Sequence, residues 1–125
     1  MNSIENDLIP RSNGHYSPCI VHNGIVYISG QLPVDPLTKQ VPDSIEEQTK
    51  LVLDKINTIV LAAGSSRNQI IQIRIYLSDI ELWENVNLIY SHFFGDHKPV
   101  RCIIPIGKLH YGCLIEAEAV ACILE

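Results

Sequence analysis

Pro99-Val100-Arg101-Cys102-Ile103-Ile104-Pro105 places an arginine just inside what reads as a buried apolar strand. Fifteen residues beyond Arg101 comes Ile115-Glu116-Ala117-Glu118-Ala119, a second apolar strand that carries carboxylates. Burying an unpaired charge costs several kcal/mol or more, so such residues are paired or kept for a task. Arg101 and Glu116 sit on consecutive strands joined by a Gly-containing connection, which lets them face one another across a ladder. Spacing alone leaves two readings of the pair: a cross-strand ion pair at a sheet edge, or charges held for chemistry. Glu118 shares the face of Glu116, because side chains alternate along a strand.

Working back from these strands, the chain alternates between strand and helix signals. Cys19-Ile20-Val21-His22 and Ile25-Val26-Tyr27-Ile28-Ser29 flank Asn23-Gly24, a strong signal for a type I′ hairpin. Gly30 then marks a bulge or a close backbone approach. Ser29-Gly30 reads either as a plain strand end or as backbone N–H groups offered to an anion. Leu32 to Pro42, with three prolines and Asp35-Pro36-Leu37-Thr38, is a turn-rich loop. Ser44-Ile45-Glu46-Glu47 is a capping box, and apolar residues at helical spacing predict a helix over 45–63, stopped by Gly64. Gln69 to Leu77 predicts a strand with Ile71, Ile73 and Ile75 on one face and Ile70, Gln72, Arg74 and Tyr76 on the other. Ser78-Asp79-Ile80-Glu81 is a second capping box, and Leu82, Val86, Ile89, Tyr90 and Phe93 form a helical stripe ending at Gly95. The last strands span 100–106 and 114–124. The order β-β-α-β-α-β-β predicts an α+β fold, a mixed sheet with helices packed on one face. Residues 1–12 read as a short edge segment or a loose arm.

The 125 residues form one domain, 1–125, with room for a single sizeable core. The chain is 46% hydrophobic and 18% charged, which is globular composition. Its formal charge of −5 argues against a nucleic-acid binder working through a basic surface. Met1 to Pro10 carries Glu5 and Asp7 and has no apolar run, and nowhere does an apolar run approach the roughly 20 residues of a membrane helix. The expectation is a cytoplasmic protein without membrane contact. Of the four cysteines, Cys19, Cys102, Cys113 and Cys122, no two show Cys-x-x-Cys spacing, and they read as small buried hydrophobes. The five histidines are scattered, with no carboxylate set for a metal, so no metal is expected. With no phosphate-binding Gly loop, no cofactor is expected either.

Pro99-x-Arg101, the apolar strand, the Lys108-Leu109 corner and Ile115-Glu116-x-Glu118-Ala119 together resemble the C-terminal signature of the RidA/YjgF reactive-intermediate deaminases. The resemblance runs from Gly14 to Ala121. It takes in Gly14-His15-Tyr16-Ser17, Ile28-Ser29-Gly30-Gln31-Leu32-Pro33, Asp35-Pro36-x-Thr38, Ala62-Ala63-Gly64 and Val86-Asn87-x-x-Tyr90-x-x-Phe93-Phe94. It implies the chorismate-mutase-like fold and a homotrimer with a central barrel and intersubunit sites. It also implies hydrolysis of 2-imino acids or their enamine tautomers, such as 2-iminopropanoate and 2-iminobutanoate, to 2-oxo acids and ammonia. Arg101 is then the carboxylate anchor and Glu116 the residue that positions or activates water. Tyr16, Ser29, Gly30 and Asn87 line the pocket, and the backbone of Ile103 approaches the imine nitrogen.

The chain departs from many members in having His15 where they carry Pro, and Ile103 where they carry a cysteine. Cys102, one residue away, points to the opposite face. Leu109-His110-Tyr111 replaces a Leu-Pro corner and Glu116-Ala117-Glu118 replaces Glu-Ile-Glu, which suggests a subgroup. His15 or His110 is either a titratable pocket group or a surface histidine. Two other functions fit less of the sequence. One is a small-carboxylate binding protein, which needs Arg101 but not Glu116. The other is an RNase or translation inhibitor, against which the acidic balance counts.

Overall fold

Asn23 and Gly24 take φ of 52° and 75°, the two left-handed residues of a type I′ turn. They join β2 (Cys19–His22) to β3 (Ile25–Gln31) in an antiparallel hairpin. The structure is a computed structural model, and it describes residues 1–4, 9 and 11–124. A two-residue strand β1 (Asn2–Ser3) pairs with β2 and forms the short edge segment expected near the N-terminus; the rest of that expectation lies partly outside the described residues. Helix α1 (Ile45–Ala62) follows, then β4 (Ile70–Leu77), α2 (Trp83–Phe94), β5 (Val100–Pro105) and β6 (Ile115–Cys122).

The caps explain the helix limits. Ser44 Oγ accepts from the Glu47 N–H at 3.1 Å and opens α1. Gly64, at φ 89°, closes it: the Gly64 and Ser65 N–H groups reach back to the carbonyls of Leu61 and Val60, the paired bonds of a Schellman stop. The second helix begins later than its sequence signal predicts. Asp79, rather than Ser78, supplies the cap, its carboxylate accepting from Glu81 N at 2.9 Å. That bond opens a single 3₁₀ turn, Ile80–Leu82, and regular α-helix starts only at Trp83. Phe94 is buried at the end of α2 where the stripe predicts Phe93, which is only partly buried.

The six strands lie in the order β1-β2-β3-β6-β4-β5. All neighbours are antiparallel except β4 and β5, which run parallel and are joined through α2. It is the mixed sheet with two helices on one face that the sequence predicts. The strand order corrects one expectation. β6 inserts between β3 and β4, so β5 and β6 are not neighbours and Arg101 does not face Glu116 across a ladder.

The inner face of the sheet carries Val26, Ile28, Ile73, Ile75, Leu77, Ile115, Ala117, Ala119 and Ala121, all buried. α1 packs across β3 and β6 and against α2, burying Val52, Leu53, Ile56, Ile59 and Val60. The alanines of β6 leave room for α1 over the centre of the sheet. Each buried Ile or Leu contributes about 1.5–3 kcal/mol. In β4 the register slips between Ile70 and Gln72, leaving Ile71 as the extra residue. That bulge corrects the predicted faces: Ile70 turns in and is buried, while Ile71 turns out and is 43% exposed.

Candidate active site

A second register shift builds the site. Ile28 pairs with Ala119 and Gln31 with Ala117, so Ser29 and Gly30 together oppose Glu118. The bulge brings Gly30 against Glu116: a Cβ at Gly30 would lie 2.9 Å from Glu116 Oε2. Gly30 therefore answers the demand for close approach rather than for unusual backbone angles. Ser29 is committed to the fold. Its N–H donates to Pro18 O at 3.0 Å and its hydroxyl to Ser17 O at 2.5 Å, tying the Gly14–Pro18 turn, and with it Tyr16, to the sheet.

Tyr16, Ser29, Gly30 and Glu116 line one cleft of about 750 Å³, on the sheet face away from the helices and its rim. His110, Tyr111, Tyr76 and Glu118 complete the side around Glu116. His15 is exposed and does not line it. Gln48, buried in α1, fixes two walls at once. Its amide donates to Pro42 O and accepts from Leu114 N, both at 2.8 Å, joining the proline-rich loop to the corner before β6. Lys55 Nζ donates to Leu32 O at 2.7 Å and Val34 O at 3.2 Å and holds the same loop against α1. Burial pushes the Lys55 ammonium below its ordinary pKa. The corner carrying His110 turns through Tyr111 at φ 61° and Gly112 at φ 69°; a left-handed tyrosine is a costly conformation that a local task can justify.

Burial pushes the Glu116 carboxyl above the ordinary carboxylate range, the charge of His110 draws it back down, and neighbouring Glu118 adds to the rise. Such a carboxylate accepts a proton more readily than an exposed one. Glu118 itself is engaged, accepting the Tyr76 hydroxyl and lying 3.9 Å from Arg74. That bond, with burial behind it, pushes the Tyr76 phenol up to about 12.

Arg101, Asn87 and Ile103 lie elsewhere. Arg101 is in register with Ile73 and Ile103 with Ile75, so both project toward the helix side, whereas Glu116 is in register with Tyr76 on the opposite face. Ile103 packs on the core. Arg101, expected within a buried strand, is exposed, because β5 is the edge of the sheet. Its Nη1 donates to Asn87 Oδ1 at 2.8 Å and its guanidinium sits 4.8 Å from the centre of the Tyr90 ring. Cys102 points to the outer face and is exposed, unlike the buried Cys19 and Cys113. The sequence reading missed Tyr90 as a neighbour of Arg101 and Tyr76 as a partner of Glu118. Asn87 and Tyr90, three apart on a helix, carry a usable signal for the first. Among the described residues no three of His, Cys, Asp and Glu gather to hold a metal ion, and no helix is long and apolar enough to cross a membrane.

A single chain thus carries two candidate half-sites: the Glu116 carboxylate in a cleft, and the Arg101 fork at a sheet edge. A family model described as Endoribonuclease L-PSP matches residues 7–123. A RutC family protein of Pyrococcus abyssi is 37% identical over 113 residues, 90% of this chain and 89% of the relative. The chain belongs to the RidA/YjgF/TdcF reactive-intermediate deaminase family. Within that family, TdcF of Escherichia coli, provisionally named a reactive intermediate deaminase, is 31% identical over 121 residues, 94% of each chain. The crystal structure of TdcF with bound serine superposes with a TM-score of 0.93 at 30% identity, covering 99% of this chain and 100% of that one. RidA from an Antarctic Psychrobacter gives a TM-score of 0.93 at 28% identity, over 98% and 100%. The family fold is therefore present across the described residues.

Proposed function

We propose that this chain hydrolyses reactive 2-imino acids and their enamine tautomers, such as 2-iminopropanoate and 2-iminobutanoate, to 2-oxo acids and ammonia, in clefts shared between copies of a homotrimer. The observation that carries the proposal is the separation of the half-sites. Arg101 and Glu116 stand on opposite faces of one sheet with β4 between them, an arrangement that fits a site completed by a second copy. β5 leaves an unpaired strand edge, and Val100 and Tyr27 are 60% and 49% exposed, features that favour self-association.

The mechanism asks little of the protein. Arg101 grips the substrate carboxylate through its planar fork. A protonated imine is already electrophilic at carbon. Glu116 takes a proton from water as the C–O bond forms and passes it to nitrogen. It then takes the remaining hydroxyl proton as the C=O bond forms and the C–N bond breaks, and hands it to the departing ammonia, which leaves as ammonium. Orientation and general-base catalysis, the latter worth about 10²–10⁴-fold, suffice for this step. The named activity of TdcF supports this reading. Its serine-bound structure supports a second one, a binding protein for small carboxylates. That reading keeps Arg101 but asks nothing of Glu116.

A coupled assay separates the two. A pyridoxal-phosphate dehydratase generates the imino acid, semicarbazide traps it, and the chain is scored by how far it suppresses trapping. Arg101→Ala and Glu116→Gln should each abolish suppression. Mixed as unfolded chains and refolded together, the two variants should regain roughly a quarter of wild-type activity, because one cleft in four unites an intact Arg101 with an intact Glu116. Recovery of nothing would place both residues in one chain's site. An active Glu116→Gln protein would move the weight to the binding reading.

A further inference from the structure

Arg101 ends a long side chain on an exposed strand edge, and among the described residues no carboxylate lies within ion-pair distance of it. Free of partners, such a side chain samples many rotamers, and a fork that must meet a carboxylate in plane would lose much of its grip to that freedom. Two residues of α2 remove it. Asn87 Oδ1 accepts from Nη1 at 2.8 Å, and the Tyr90 ring lies under the guanidinium at 4.8 Å. They are three residues apart and so share one side of the helix. Tyr90 is itself fixed, only 7% exposed and packed at 4.7 Å against the Phe94 ring. Its hydroxyl has no partner among the described residues, so what Tyr90 offers Arg101 is the face of its ring.

We propose that Tyr90 and Asn87 are positioning residues for the Arg101 anchor: the ring fixes the guanidinium plane, and the neutral amide fixes its rotation while leaving its charge unspent. This rests on the reading of Arg101 as the carboxylate anchor. The choice of an amide matters. A carboxylate at position 87 would hold the fork equally well but would neutralise it, and the site would lose its attraction for an anion. The guanidinium carbon lies over the ring at 4.8 Å, and Asn87 occupies one N–H. The remaining donors lie in the plane, the approach that suits a flat carboxylate.

The test measures binding of 2-oxobutanoate, a stable 2-oxo acid, to the assembled protein by calorimetry, apart from any turnover. Tyr90→Met should weaken binding roughly 2- to 30-fold, the range of a stacked cation, whereas Tyr90→Phe should stay within about twofold of wild type. Asn87→Asp should weaken binding more than Tyr90→Met does. Arg101→Ala should abolish it. Wild-type binding by Tyr90→Met alongside loss in Arg101→Ala would overturn the positioning role and leave the anchor standing. Wild-type binding by Arg101→Ala would overturn the anchor, and the inference with it. Should Tyr90→Met fail to fold, the Arg101 Nε–H resonance of the ligand-free wild type decides. A signal as ordered as the backbone supports the platform, and one averaged like a free arginine refutes it.

Discussion

Replacing Gly30 by alanine adds one methyl group at the tightest point of the cleft. The new Cβ would lie 2.9 Å from Glu116 Oε2 and 3.1 Å from its Cδ, whereas ordinary contact begins at 3.4 Å, so the carboxylate must retreat by about half an ångström. The atoms that yield are the far end of a flexible side chain, and Gly30 does not have a left-handed backbone angle. The cost to folding should therefore stay under about 1 kcal/mol, a shift in melting temperature of no more than a few degrees for a domain of this size. The cost to chemistry should be larger. A misplacement near 1 Å can cost about 10²-fold, so half that distance predicts a loss on the order of 10-fold in turnover. Thermal melting and the semicarbazide-coupled assay measure the two effects on one preparation. Full activity in a folded Gly30→Ala protein would refute the claim that the Glu116 position limits the reaction. A large loss of stability would refute the claim that only the side chain gives way.

Other expectations follow from the charges and clamps. Because the Glu116 pKa is raised on folding, its ionised form opposes folding. The stability this group contributes is present below the ordinary glutamate value and is lost as pH rises through the raised one. Glu116→Gln should then melt higher than wild type at neutral pH, and the gain should vanish in acid; an equal gain at all pH values would rule out this cause. Activity should run the other way, falling as pH drops through the raised Glu116 value, and His110→Gln should move that limb upward by removing the charge that draws it down. Lys55→Met removes both bonds to the proline-rich loop. After discounting for solvent screening it should cost about 1 kcal/mol, with faster amide exchange over residues 32–42 and little change in α1. Ile56→Ala, at a position with no exposure, should cost about 2–5 kcal/mol in chemical denaturation.

Much of this protein was legible in its order of residues, because the signals concerned are local. Asn23-Gly24 can close only one kind of hairpin, Ser44 and Gly64 bound α1 through bonds a few residues long, and alternating β6 puts Glu116 and Glu118 on one side by the geometry of a strand. The motif spacing was enough to suggest the family to which the chain belongs. What escaped depended on neighbours distant in sequence. The insertion of β6 between β3 and β4 is a matter of strand order, which no local pattern encodes, and it separates Arg101 from Glu116 and sets them on opposite faces. The slips at Ile71 and at Ser29-Gly30 exist only relative to a paired strand. One reverses Ile70 and Ile71, and the other delivers Gly30 to Glu116. Tyr90 read as core because its spacing is that of a core residue. Only the docking of α2 beside the edge strand turned its ring toward Arg101.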